Sequence, residues 1–222
     1  MKRFLFFAAL ALLSVDGYCH DWANLACYRE ANDSVMQLDA SRREIVLLGN
    51  SITYNWARDH REFLEKNHMV GRGISGQTTT HFLARFRQDV LNLKPQTVVI
   101  LGGTNDIAEN AGEYNEDLTM SNIQSMVELA QVNGIRPVLC TVLPVTQYWW
   151  NKDVPNVQDK IDSLNRRITA YAKENKIPLV DYFTPMAMPD RTMNPKYAED
   201  GVHPNLAGYA VMEKLLLEAL RK

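Results

Sequence analysis

Ile45-Val46-Leu47-Leu48-Gly49-Asn50-Ser51 places four large apolar residues ahead of a glycine, an amide and a hydroxyl. An apolar run without polar alternation suits a strand covered on both faces, as in a parallel sheet. The glycine marks where the chain turns. Val98-Val99-Ile100-Leu101-Gly102-Gly103-Thr104-Asn105 repeats the arrangement. Pro137-Val138-Leu139-Cys140-Thr141-Val142 and Pro178-Leu179-Val180-Asp181 read as further strands, and His68-Met69-Val70-Gly71 as a weaker one.

Helical spacing fills the gaps. Phe82, Leu83, Phe86 and Val90 share one face of a helix that closes before Pro95. Leu118, Ile123, Met126, Val127 and Ala130 stripe the next, with Gly134 placed to terminate it. Val157, Ile161, Leu164, Ile168 and Tyr171 mark a third, and Leu206, Tyr209, Leu216 and Leu220 a last one. Residues 21–40 read as an amphipathic helix packed outside the sheet. Strands alternating with helices imply βαβ units and a mostly parallel sheet. Sites in such sheets form beyond the carboxyl ends of the strands.

The 222 residues are enough for one sizeable domain, and 46% apolar and 23% charged content is ordinary for a globular chain. A net charge of -2 and the lack of any Lys/Arg run exclude a basic nucleic-acid or membrane-surface face. Met1-Lys2-Arg3 followed by the unbroken apolar run Phe4 to Leu13 reads as a secretory signal over residues 1–19, too short to span a bilayer. A buried N-terminal helix is the alternative, and Cys19 raises lipid attachment. The expected division is a signal at 1–19, a helical segment at 20–43 and one domain at 44–222. Cys27 and Cys140 remain as a possible disulfide, although Cys140 in a strand pattern also reads as a buried apolar residue. No Cys/His spacing suggests a metal.

Four motifs carry chemistry. Ser51, after a strand and a glycine, either caps the next helix or exposes its hydroxyl beside free amides. Asp200-Gly201-Val202-His203 is either a helix start with a surface histidine or a turn in which the carboxylate orients the imidazole. His60, His68 and His81 lie in or beside charged helical stretches with no carboxylate at comparable spacing. Asn105 offers a neutral amide donor at a strand end, or an Asx turn with Asp106 capping the segment that follows. Gly73, in Arg72-Gly73-Ile74-Ser75-Gly76, can add a backbone N–H.

In this order and with these residues, the motifs resemble the SGNH hydrolases, also called the GDSL-like esterase and lipase family. The matching positions are Ser51, Gly73, Asn105 and His203, with Asp200 as partner of His203. Local matches extend through residues 48–53, 73–78 and 202–205, within a likeness covering about 44–220. The resemblance implies a flavodoxin-like three-layer α/β/α sandwich with a five-stranded parallel sheet. It also implies ester hydrolysis through an acyl-enzyme, without metal or organic cofactor. Ser51 is then the nucleophile and His203 the base, while the Ser51 and Gly73 amides and the Asn105 side chain form the oxyanion hole. One departure stands out: the family usually has Asp before the serine, and this chain has Asn50.

Secreted members often deacetylate carbohydrates, so an O-acetyl ester on a glycan is the expected substrate. Longer acyl chains, as for a lysophospholipase or thioesterase, are the alternative, and a non-catalytic sugar-binding module is a third reading. Tyr148-Trp149-Trp150, on the site's side of the sheet, can stack on sugars, line an acyl pocket or simply pack the loop.

Overall fold

A computed structural model describes residues 21–221. The signal expected over 1–19, with Cys19, lies outside them. Strands β1 (Ile45–Gly49), β2 (Met69–Gly73), β3 (Thr97–Leu101), β4 (Arg136–Cys140) and β5 (Leu179–Val180) form one sheet in the order β2-β1-β3-β4-β5. All neighbouring pairs are parallel. The helices are α1 (Arg29–Met36), α2 (Ser51–Asp59), α3 (Arg61–Lys66), α4 (Thr79–Asp89), α5 (Thr104–Ile107), α6 (Glu116–Val132), α7 (Val157–Glu174), α8 (Phe183–Met186) and α9 (Leu206–Leu220).

Side chains alternate across each strand, which divides the core into two layers. Val46 and Leu48 of β1 join Phe82, Phe86, Met126, Ile161 and Leu164 beneath α4, α6 and α7. Leu47 points the other way, into Trp56, Leu64, Tyr209, Met212 and Leu216 from α2, α3 and α9. The result is the expected three-layer sandwich. Strand order reverses between β1 and β3, and their carboxyl ends coincide, Gly49 lying opposite Leu101 and Gly73. That switch point is where such sheets open a crevice.

Several local expectations change. β4 ends at Cys140 rather than Val142, because Asn165 of α7 takes both backbone groups of Val142: its Oδ1 accepts the N–H at 2.7 Å and its Nδ2 donates to the carbonyl at 3.0 Å. Leu118 and Leu206 are exposed, each in the first turn of its helix. Gly134 does end α6: with φ of +70°, it lets Gly134 N–H reach Gln131 O and Ile135 N–H reach Ala130 O. The N-terminal helix is confined to Arg29–Met36, and its buried residue is Asn32. Polar bonds hold this segment: Gln77 Nε2 donates to Ala23 O, Gln88 Nε2 to Leu25 O, and Asn32 Nδ2 to Asp89 Oδ1. Cys27 is exposed and Cys140 buried, and both are free, so the disulfide does not form.

Candidate active site

Asn50 is the N-cap of α2, its Oδ1 accepting the Ile52 N–H at 3.1 Å. Ser51 is therefore the first helical residue, and its own N–H is one that a helix leaves without an internal partner. The Ser51 hydroxyl lies 2.9 Å from His203 Nε2. On the other side of the ring, His203 Nδ1 is 2.7 Å from Asp200 Oδ2. Asp200 Oδ1 accepts the backbone N–H groups of Val202 and His203, so the turn itself aims the carboxylate. Gly201, at φ of +75°, makes that turn possible. Partial burial pushes the Asp200 carboxyl up, but hydrogen bonds from the His203 ring and the two amides hold it below the usual carboxylate range. An ionised Asp200 fixes the proton on Nδ1, leaving Nε2 to accept from Ser51.

Asn105 is 2% exposed. Its Nδ2 donates one hydrogen to Gln77 O at 2.9 Å, and the amide carries a second. Asp106 does not cap the segment after it; it caps α4, accepting Thr79 N–H at 3.1 Å and Thr79 Oγ1–H at 2.5 Å. Burial pushes the Asp106 carboxyl up despite these donors. Ser51, Asn105 and His203 line one cavity of about 390 Å³ with Asn55, Ser75, Gly76, Asn110, Trp149 and Trp150.

Gly73 is not among its lining residues. A Cβ at Gly73 would lie 2.2 Å from Tyr54 N and 2.6 Å from Asn50 O, so this glycine exists to let β2 approach the start of α2. Its carbonyl accepts the Tyr28 hydroxyl. Gly76, three residues on, lies in the cavity wall at φ of +78°. Among the described residues, no acceptor takes the Gly76 N–H. The same quoted motif contains both glycines, and spacing alone did not separate them.

The aromatic run also divides. Tyr148 is 0% exposed and belongs to the core, and burial pushes its phenol well above the usual range. Trp150 lines the cavity, its ring 6.3 Å from that of His203. Its Nε1 donates to Asn110 Oδ1 at 2.9 Å, and Asn110 Nδ2 donates to Gly76 O at 3.1 Å. Trp149 is 59% exposed at the mouth, edge-on to Trp150. Of the other lining residues, Ser75 and Gly76 belong to the motif around Gly73, whereas Asn55 and Asn110 carry no signal in the sequence.

Two other histidines do meet carboxylates, through long-range contacts: His60 Nδ1 lies 2.8 Å from Glu213 and His68 Nδ1 3.3 Å from Glu44. Neither lines this cavity. A larger cavity of about 490 Å³ between α7 and the β5–α8 connection is lined by Asp162, Arg166, Lys173 and Asp181, with no histidine. Among the described residues no group of His, Cys, Asp and Glu side chains is placed to hold a metal. No described helix is long and apolar enough to cross a membrane.

A model of the GDSL-like lipase/acylhydrolase family matches residues 47–211. The crystal structure of a GDSL-like lipase from Bacteroides thetaiotaomicron is similar at a TM-score of 0.87 and 48% identity, covering 90% of this chain and 98% of that one. A lipoprotein of Bacillus subtilis, itself uncharacterised, is 29% identical over 121 residues, 47% of this chain and 50% of that protein. An acetylxylan esterase of Xylanibacter ruminicola is 25% identical over 152 residues, 60% of this chain and 30% of that protein. The chain thus spans half or less of the length of these two relatives.

Proposed function

The chain belongs to the GDSL-like lipase/acylhydrolase family, and from that premise we propose that it hydrolyses carboxylic esters with Ser51 as nucleophile, His203 as base and Asp200 as the orienting carboxylate. The observation that carries this reading is the continuous contact from Ser51 Oγ to His203 Nε2 at 2.9 Å and from Nδ1 to Asp200 at 2.7 Å. His203 takes the hydroxyl proton as Ser51 attacks the ester carbonyl. Negative charge then develops on the carbonyl oxygen. The Ser51 N–H, the Gly76 N–H and the second Asn105 Nδ2 hydrogen are the donors placed to receive it, Gly76 replacing Gly73 in that role. Collapse of the intermediate expels the alcohol, which takes the proton from His203. Water, activated by the same imidazole, releases the acid.

The substrate we favour is an O-acetyl ester on a carbohydrate. Trp149 presents an exposed face at the mouth of the cavity that His203 lines, and flat indole surfaces suit pyranose rings. The acetylxylan esterase among the relatives supports the same choice. Export follows from the signal read over residues 1–19, in keeping with the lipoprotein relative. Labelling with a fluorophosphonate and mapping the modified residue tests the nucleophile: modification of Ser51, lost in Ser51→Ala, is expected, and label at another serine refutes it. Comparing p-nitrophenyl acetate with octanoate tests the acyl group. A strong preference for octanoate overturns the acetyl reading in favour of a long-chain acylhydrolase.

A further inference from the structure

Beneath the cavity lies a side chain that the mechanism does not use. Arg85 on α4 is 0% exposed, and its guanidinium reaches two stretches of chain outside its own helix, the end of β1 and the segment from Arg72 to Gln77. Nη2 donates to Gly49 O and to Arg72 O, both at 3.0 Å. Nε donates to Gln77 Oε1 at 2.6 Å. Nη1 donates to Asp89 Oδ2 at 3.1 Å, one turn along the same helix, and Asn32 Nδ2 donates to the other Asp89 oxygen at 2.8 Å.

Those two stretches carry two of the oxyanion donors, and the third is reached through Gln77. Gly49 stands two residues before Ser51. Arg72 and Gln77 bracket Gly76. The Gln77 carbonyl is the group that orients the Asn105 amide. One planar fork therefore ties two strand ends directly and, through Gln77, bears on the Asn105 amide at a third. Only arginine can do this, since its donors lie in a fixed plane whereas a lysine ammonium is a compact point. Stability alone does not call for a charge here, because apolar side chains of similar volume commonly serve as well as a buried ion pair.

We propose that Arg85 is a positioning residue: through Gly49 O, Arg72 O and Gln77 it holds the Ser51, Gly76 and Asn105 donors in the geometry of the transition state. This rests on the Ser51 reading above. Fluorophosphonate mapping on the parent enzyme tests that reading separately and does not depend on Arg85.

The test compares Arg85→Lys, Gln77→Leu and Gln77→Glu with the parent. Active sites are counted by fluorophosphonate labelling carried to completion, and folding is followed by circular dichroism. Displacing reacting groups by an ångström costs about 10²-fold in rate. Arg85→Lys and Gln77→Leu are therefore expected to lose about that much kcat per labelled site on p-nitrophenyl acetate, with KM little changed. Gln77→Glu retains an acceptor for Arg85 Nε and is expected to recover most of what Gln77→Leu loses. If folded Arg85→Lys turns over like the parent per labelled site while only its unfolding midpoint falls, the proposal is overturned. Equal rates for Gln77→Leu and Gln77→Glu overturn it too. Should Arg85→Lys fail to fold, the Gln77 pair decides. If Gln77→Leu is also unfolded, Arg85 holds the fold rather than the donors, and the proposal fails.

Discussion

Asn105→Ala separates catalysis from stability in a way that the local geometry makes quantitative. The side chain is 2% exposed and gives one hydrogen to Gln77 O at 2.9 Å, while the proposed mechanism assigns the other to the oxyanion. Loss of a single oxyanion donor costs about 10²–10³ in kcat, or about 2.7–4 kcal/mol of transition-state stabilisation. Loss of the other bond leaves the Gln77 carbonyl unsatisfied, which costs about 1–3 kcal/mol of folding stability. The variant should thus fold, melt earlier and turn over about two to three orders of magnitude more slowly, with KM nearly unchanged. Steady-state hydrolysis of p-nitrophenyl acetate and urea unfolding measure the two effects independently. Asn105→Asp, of the same shape but unable to donate when ionised, should be slower still, since its charge faces the forming oxyanion. A kcat for Asn105→Ala within about threefold of the parent, far from the loss of a donor, would refute the assignment.

The two glycines should behave oppositely in unfolding experiments. Gly73→Ala forces a Cβ to 2.2 Å from Tyr54 N, a backbone atom, and should cost more than about 4 kcal/mol or prevent folding. Gly76→Ala meets nothing closer than Asn110 Nδ2 at 3.9 Å, so only its left-handed φ is strained, by about 1–2 kcal/mol; equal losses at the two positions contradict this. Because the Asp200 carboxyl is held below its ordinary range, the stability it contributes is present above the unfolded carboxylate pKa and lost as pH falls through the lower folded one. The stability gap between the parent and Asp200→Asn should therefore narrow below about pH 4, and a gap that widens with acid inverts the sign. Trp149→Ala should raise KM for an acetylated xylo-oligosaccharide by roughly 3- to 10-fold, the worth of one ring contact, while p-nitrophenyl acetate hydrolysis stays unchanged. Parallel changes with both substrates would remove the sugar platform.

Much of this was legible from residues 45–51 and 98–105, and for one reason. A strand buried on both faces must be apolar without interruption, so its end is marked where polar residues begin. Asp200 and His203 were legible because their contact closes within a single turn, where spacing nearly determines geometry. Long-range approach was not legible. Ser51 and His203 are 152 positions apart, and only the strand order brings them together. Likewise Tyr148, Trp149 and Trp150 are equivalent as a string, and packing sends the first into the core and the other two to the cavity. Nothing in the sequence marks Arg85 apart from other helix charges, and its partners are carbonyls contributed by β1 and β2.

The sequence by itself determined where β1 and β3 end, the layered sheet and the residue types at its carboxyl edge, because apolar continuity and turn chemistry are local. Only the tertiary structure decided which glycine faces the cavity. Gly73 and Gly76 sit three residues apart in one motif, but β2 runs through the first and packs it against α2, while the second falls beyond the strand with its amide unpaired among the described residues. What presses against the end of β2 is settled by α2 rather than by the motif.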